Sequence, residues 1–258
     1  MGKGKRGTAS YHYSLSAIGP AVPVPIRNVA ERARTVIYPP TDTTGMKRLR
    51  QIYYNAFSRI YDRFVALHST DKGQGLRRYL ADKAGLRNGD TVLDICTGTA
   101  SMLPALKEKV GTKGLVAGAD FSVGMLMAGR PKVSHHKGVF FVLADVAVLP
   151  FKGRAFDAVT CSHAFYELRG ETQDRCLHEI ERVLKPGKPF LMMEHDIPEN
   201  VFVRMLFYLR LLSMGPRKAR RILRHERELL MGYFYSVEKI ATPTGRSKIL
   251  ICKREALL

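Results

Sequence analysis

Asp94, Asp120 and Asp145 each stand at or just after the end of a short apolar run. The runs are Thr91-Val92-Leu93-Asp94-Ile95-Cys96, Gly114-Leu115-Val116-Ala117-Gly118-Ala119-Asp120 and Val139-Phe140-Phe141-Val142-Leu143-Ala144-Asp145. The aspartates are 26 and 25 residues apart, about the length of a strand, a loop, a helix and a return. Acidic groups at the carboxyl ends of neighbouring parallel strands face one crevice, where open α/β sheets bind ligands. Three carboxylates there suit a ligand with a ribose, an adenine and a cationic centre.

The first run leads into Thr97-Gly98-Thr99-Ala100, a tight turn that presents backbone N–H groups and a helix N-terminus to the crevice. A pyrophosphate would call for G-x-G-x-x-G at this point. Only Gly98 is present in Cys96-Thr97-Gly98-Thr99-Ala100-Ser101, which disfavours a dinucleotide. A ligand carrying a sulfonium and an ammonium fits better. Asp94 would hold its amino end, through water or backbone groups. Asp120, 22 residues after Gly98, would accept both ribose hydroxyls, and Asp145 the exocyclic amine of adenine. Phe121 and Met125 would wall the adenine ring. Any one of these aspartates alone is better explained by a strand-end turn or a helix cap. Three in register favour the ligand.

A second group of residues follows the fourth and fifth apolar runs. His163, Tyr166 and Glu167 come after the fourth, and Glu194, His195 and Asp196 after the fifth. Both sets should open at the same end of the sheet as the aspartates. His163 is the first choice for a base or substrate contact and His195 the second. The plainer alternative has each histidine packed at a strand end on a backbone carbonyl. A metal held by Glu194, His195 and Asp196 is not expected, because adjacent strand residues point to opposite faces. Tyr54 and Tyr61, seven residues apart, share a helical face and are expected either to close over the ligand or to fill core.

The elements that must position these groups alternate along the chain. Two helices are expected over residues 47–68 and 72–85. Strands then follow near 91–96, 115–120, 139–144, 157–162 and 188–194, with helices near 100–109, 122–129 and 172–184. Leu184-Lys185-Pro186-Gly187 stops the last of these helices. Residues 198–231 read as a helical insertion broken at Gly215-Pro216. Two final strands near 233–240 and 247–253 flank the turn Thr242-Pro243-Thr244-Gly245-Arg246. Residues 1–45 hold five prolines and no helical period. They read either as a disordered tail or as an extension upstream of a true start at Met46.

The 258 residues suffice for one large domain, and 45% hydrophobic content is ordinary for a soluble protein. The formal charge of +19 is not ordinary, and it implies attraction to something anionic. Without residues 1–45 the 42 basic and 23 acidic residues fall to 36 and 21, leaving +15, so the basic character belongs to the folded part. The four cysteines have no metal-ligand spacing and read as reduced core thiols of a cytoplasmic protein. No apolar stretch is long enough to span a bilayer. Residues 201–212 are apolar on nearly every side and precede an arginine-rich stretch from Arg217 to Arg227. Residues 201–227 therefore form a plausible contact with an anionic membrane surface. A buried lid followed by a solvated basic face is the alternative. RNA is a third reading, but no nucleic-acid module is visible and a nucleic-acid partner is not expected.

Val92-Leu93-Asp94-Ile95-Cys96-Thr97-Gly98-Thr99-Ala100 resembles motif I of the class I S-adenosylmethionine-dependent methyltransferases. Ala119-Asp120-Phe121-Ser122-Val123-Gly124-Met125-Leu126 and Ala144-Asp145-Val146-Ala147-Val148-Leu149-Pro150-Phe151 resemble their next two motifs. Phe156-Asp157-Ala158-Val159 and Arg182-Val183-Leu184-Lys185-Pro186-Gly187 complete the series in order. Within that superfamily the chain is similar to the ubiquinone/menaquinone-biosynthesis C-methyltransferases, through Ser58-Arg59-Ile60-Tyr61-Asp62 and Phe165-Tyr166-Glu167-Leu168-Arg169. Cys96 and Ala100 depart from the pattern, standing where glycines are common, and so does His195-Asp196-Ile197-Pro198 after the fifth strand.

The resemblance implies an α/β, Rossmann-like class I methyltransferase fold. Its sheet would have seven mostly parallel strands, an antiparallel last strand and a helical insertion before the final two. It implies S-adenosylmethionine as cofactor, held by Asp94, Cys96, Thr97, Gly98, Asp120, Phe121, Met125, Asp145, Val146, Ser162 and Tyr61. The catalytic candidates are His163, His195 and Tyr166. The acceptor would be a small or lipid-tailed molecule, first a polyprenylated quinol precursor methylated on carbon, which needs its hydroxyl deprotonated by a base. Amine methylation of a phospholipid is the nearest alternative, followed by RNA modification and by cofactor binding without catalysis. The place of action would be the cytoplasm, at or near the membrane's inner face.

Overall fold

The computed structural model describes residues 35–37, 49, 51–58, 60–61, 75–168, 170–196, 201, 205, 226–245 and 247–254. Most of the expected insertion, 198–231, lies outside the described residues, as does most of 1–45. In chain order the elements are β1 (Thr35–Ile37), α1 (51–58), α2 (Gly75–Lys83), β2 (Thr91–Ile95), α3 (Leu103–Val110), β3 (Leu115–Asp120), α4 (Val123–Val133) and β4 (Val139–Leu143). There follow β5 (Ala158–Ser162), a 3₁₀ turn (Phe165–Glu167), α5 (Glu171–Val183), β6 (Pro189–His195), α6 (226–231), β7 (Ser236–Ala241) and β8 (Ser247–Lys253).

The strands form one sheet in the order β1-β4-β3-β2-β5-β6-β8-β7. All pairings from β1 to β6 are parallel, and β8 runs antiparallel to both β6 and β7. The seven expected strands are all present, with the antiparallel last strand among them. The expectation that 1–45 carries no structure is corrected in one place. Thr35–Ile37 pairs with Phe141–Leu143 and adds an eighth strand at the sheet edge. Thr, Val and Ile are β-branched and suit such an edge, but three residues are too few for the alternation that reveals a strand in sequence.

Strands buried on both faces read as continuous apolar runs, and alternate residues of each run serve opposite cores. Leu93, Ile95, Ala117, Ala119, Val159 and Cys161 face the layer containing Cys176, Leu177, Ile180 and Val183 of α5. Val92, Val116, Ala158 and Leu191 face Leu80, Leu103, Leu106 and Val110 of α2 and α3. Cys161, Cys176 and Cys252 are buried and Cys96 is half-buried, and all four are free thiols. Among the described residues no helix is long and apolar enough to cross a membrane.

The chain runs outward from β2 through β3 to β4, then returns to place β5 on the other side of β2. The strand order therefore reverses between β2 and β5, and the crevice of an open α/β sheet lies at the carboxyl ends of such a pair. Asp94, near the end of β2, is set at this point.

Candidate active site

The loop after β2 is built from left-handed residues at alternate positions. Cys96, Gly98 and Ala100 have φ of 51°, 53° and 61°. A Cβ in this region costs roughly 1–2 kcal/mol, so Cys96 and Ala100 hold a glycine-like backbone against strain. Gly98 carries no such cost, and a Cβ built on it meets nothing within 4 Å. The open side of the loop is at Gly98. The opposite side packs on α4: a Cβ on Gly129 would come within 2.7 Å of both the Ala100 methyl and the Thr99 carbonyl carbon. Lys132 Nζ, also on α4, donates to Thr99 Oγ1 at 2.8 Å and Ser101 Oγ at 2.9 Å.

Asp94 lies behind this loop, 1% exposed. Its two oxygens accept hydrogen bonds from Thr97 Oγ1 and Thr160 Oγ1, each at 2.7 Å. Burial pushes its carboxyl up to about 6, the two hydroxyls pull it back, and the nearby Asp120 adds to the rise. Asp94 thus acts on the crevice through its charge and through Thr97. Asp120, at the end of β3, accepts from Gly98 N at 2.8 Å and from Ser122 N at 2.9 Å. It ties the loop to the next strand across 22 residues of sequence. Burial raises its carboxyl to about 6 as well, against the pull of the Ser122, Gly98 and Phe121 N–H groups. Three N–H groups thus occupy Asp120, which leaves one of its roughly four lone-pair sites for a ligand hydroxyl. Asp145 accepts from Ala147 N at 3.0 Å, a local turn contact that leaves the residue half-buried beside the buried Val146.

Helix α1 closes one side of the crevice. Asn55 Oδ1 accepts from Ser122 Oγ at 2.7 Å and from Gly124 N at 2.9 Å, docking α1 on the first turn of α4. Gln51 Nε2 donates to Phe121 O at 2.9 Å. Tyr54 packs edge-on against Phe121, with ring centroids 5.4 Å apart, and its hydroxyl donates to Glu167. Of the two tyrosines, Tyr54 thus reaches the residues at the mouth, and Tyr61 packs edge-on against Phe57 at 5.6 Å. Met125 is buried and its N–H donates to the capping Ser122 hydroxyl at 3.2 Å.

The other side is formed by the ends of β5 and β6. His163 follows the half-buried Ser162 with φ of 53° and donates its main-chain N–H to Met193 O at 2.8 Å. Its ring lies 4.4 Å from that of His195, tilted by 32°. The Nδ1 atom of His163 is buried and makes no hydrogen bond. Burial, then His195, then Arg77 push its imidazole down to about 3, so it is neutral at any working pH. The side-chain carbonyl bond of the plainer reading is absent at that nitrogen. Glu194 is buried and His195, the last residue of β6, is exposed. Glu194 accepts from Phe165 N at 2.9 Å and from Tyr166 N, so it carries the 3₁₀ turn that presents Tyr166. Burial, then the charge of Glu226, push its carboxyl up to about 8. Among the described residues no three ligands are grouped to hold a metal.

The described residues fit S-adenosylmethionine. Two buried carboxylates lie under an open glycine loop at the switch point, which suits a cation, and a hydroxyl-accepting aspartate is held by backbone N–H groups. Sequence reasoning missed two contributors, Thr160 and Asn55, and it did not foresee that Glu194 would hold backbone N–H groups. Thr160 is one buried threonine within an apolar strand. Asn55 and Glu194 act through contacts 67 and 29 residues away, and nothing in their local sequence marks that role.

The chain is similar to known methyltransferases. It is 31% identical over 163 residues to the demethylmenaquinone methyltransferase of Staphylococcus epidermidis, covering 63% of this chain and 66% of that one. To the ubiquinone/menaquinone biosynthesis C-methyltransferase UbiE of Hahella chejuensis it is 34% identical over 154 residues, covering 58% and 61%. The match thus spans a little less than two thirds of either relative. A SAM-dependent methyltransferase from Aquifex aeolicus has the same fold, with a TM-score of 0.54 at 20% identity, over 77% of this chain and 97% of that structure. The sequence pattern of one family matches residues 42–238, which takes in α1, the β2 loop, Asp120, Asp145 and the histidine pair. By the extent of that match, the chain belongs to the ubiE/COQ5 methyltransferase family.

Proposed function

We propose that the protein transfers a methyl group from S-adenosylmethionine to a ring carbon of a lipid-tailed quinol. What supports this reading is that the buried Asp94 and Asp120 carboxylates and the unpartnered His163 Nδ1 all stand at or after the carboxyl ends of the parallel neighbours β2, β3 and β5. The names of the matched relatives, demethylmenaquinone methyltransferase and ubiquinone/menaquinone biosynthesis C-methyltransferase, point to the same acceptor class.

When bound, S-adenosylmethionine supplies an electrophilic methyl group beside a positive sulfur. Asp120 would accept a ribose hydroxyl while its hold on Gly98 N fixes the loop. Asp94 stabilises the cationic end from behind the loop. Phe121, braced by Tyr54, walls the crevice. His163 Nδ1 accepts the hydrogen bond of the quinol hydroxyl, so that electron density builds on the neighbouring ring carbon. The proton that the ring carbon sheds on gaining the methyl would leave by way of His195, which is exposed and whose ring is tilted 32° against that of His163. Placement of nucleophile against methyl supplies most of the acceleration, up to about 7–11 kcal/mol in favourable cases. The excess positive charge suits an anionic lipid surface as the source of such an acceptor.

The test is incubation of the purified protein with labelled S-adenosylmethionine and a prenylated demethylquinol kept reduced. Mass spectrometry should find one added methyl on ring carbon. Methyl transfer only to phosphatidylethanolamine, or none to the quinol, would refute the reading.

A further inference from the structure

We infer that Tyr54 and Glu167 are positioning residues whose hydrogen bond straps α1 across the mouth of the crevice, so that S-adenosylmethionine enters, and its demethylated product leaves, only when this bond breaks. The inference concerns the cofactor site alone and holds for any methyl acceptor.

The two ends of the strap are anchored on opposite sides of β2, which lies between β3 and β5 in the sheet. On the β3 side, Asn55 Oδ1 accepts from Ser122 Oγ and Gly124 N and so docks α1 on the first turn of α4. The fit there is close, since a Cβ on Gly124 would fall 2.8 Å from Asn55 Cα and 2.9 Å from Ser58 Oγ. Gln51 Nε2 donates to Phe121 O, and the Tyr54 ring rests edge-on against the Phe121 ring. On the β5 side, Glu167 closes the 3₁₀ turn, and its N–H donates to Ala164 O at 3.0 Å. Glu194, 1% exposed, accepts from Phe165 N at 2.9 Å and sets this turn in the core.

The Tyr54 hydroxyl donates to Glu167 Oε2 and joins the two ends. Neighbouring strands lie about 4.8 Å apart, so a link from the β3 side to the β5 side bridges roughly 10 Å. It passes across the carboxyl end of β2, where the loop turns its open side at Gly98. The bond itself is only partly buried. Water can replace either partner when it breaks, which keeps the net cost of opening small. A bond that closes the crevice with and without ligand slows entry and exit alike. Removing it therefore speeds both and leaves the equilibrium affinity where it was.

The experiment measures association and dissociation of S-adenosylmethionine on the immobilised protein by surface plasmon resonance, with equilibrium affinity from calorimetry. Wild type is compared with Y54F, E167Q, E167A and the double variant Y54F/E167A. In Y54F both rates should rise about tenfold, the lower end for a hydrogen bond to a charged acceptor, while Kd stays the same. E167Q, whose amide oxygen still accepts from Tyr54, should lie between wild type and Y54F. Glu167 also acts on the Glu194 carboxyl, so E167A alone can do more than cut the strap. The double variant separates these effects, and it should exchange cofactor no faster than the faster single variant. Unchanged rates in Y54F would overturn the inference, as would multiplied rates in the double variant. A dissociation rate that rises alone would also overturn it, making Tyr54 a ligand contact instead of a strap. Y54F and E167Q suffice if E167A fails to fold. No acceptor enters the measurement, so the predicted rates in a protein inactive on quinols would support the strap and sink only the acceptor reading.

Discussion

Two threonine hydroxyls keep the Asp94 carboxyl from rising further. Thr160→Val should remove one of them, push the Asp94 carboxyl above about 6, and shift the acid limb of cofactor binding to higher pH. The shift is read by titrating affinity between pH 5 and pH 8, and an unmoved limb would remove Asp94 from cofactor binding. His163→Ala should lower kcat on the quinol by about 10²–10⁴ with cofactor affinity unchanged, the usual range for a lost acid–base group. A fall of less than threefold would assign the histidine to packing. At this scale the sequence was legible where one residue type recurred at one structural position, as Asp94, Asp120 and Asp145 do. Thr160, Asn55 and the carboxyl role of Glu194 were not legible, because each depends on a partner brought close only by the sheet.

Strand runs were legible nearly to the residue, since β2 to β6 are buried on both faces and their apolar runs end where burial ends. The β7–β8 hairpin was marked by its Thr242–Gly245 turn, in which Thr242 Oγ1 donates to Ser247 O at 2.7 Å. The 3₁₀ turn at Phe165–Glu167 carries no such mark, because its Phe165 and Tyr166 N–H groups are satisfied by the distant Glu194, and only Glu167 N–H bonds locally, to Ala164 O. Likewise β1 exists through its pairing with β4, not through its three residues. Packing of α4 on the β2 loop gives a prediction at this scale. Gly129→Ala would place a methyl 2.7 Å from Ala100 Cβ and 2.8 Å from Thr99 O, with no flexible group to yield. The loop must shift, costing about 1–3 kcal/mol of stability. Cofactor affinity should fall with it, as read by thermal melting and calorimetry. Unchanged affinity would separate the loop from α4.

Across the whole molecule, the two ends of the sheet carry opposite electrostatics. At the amino end Asp157 accepts from Thr91 N at 3.0 Å and pairs with Lys185 at 2.7 Å and Lys188 at 3.4 Å. Burial works to raise its carboxyl, but Lys185, the Thr91 N–H and Lys188 outweigh it and hold it below the usual range. A lowered folded value stabilises the fold above the unfolded value near 3.8 and stops doing so as pH falls through the folded one. Asp157→Asn should cost about 1–2 kcal/mol at neutral pH, less than a fully buried charged bond because both lysines are exposed to solvent. Cofactor affinity should not change; a loss there would show that the two ends are coupled. At the carboxyl end Asp94 and Asp120 are raised, so they are charged at pH 7.5 and largely neutral at pH 5. A cationic ligand should feel that difference directly. The most direct test of the site is therefore a calorimetric titration of the purified protein with S-adenosylmethionine at these two pH values. Saturable binding at pH 7.5 that weakens by about tenfold or more at pH 5 is expected, since each carboxylate near 6 contributes up to about one decade. No binding at pH 7.5, or equal affinity at both, would contradict the assignment of this crevice.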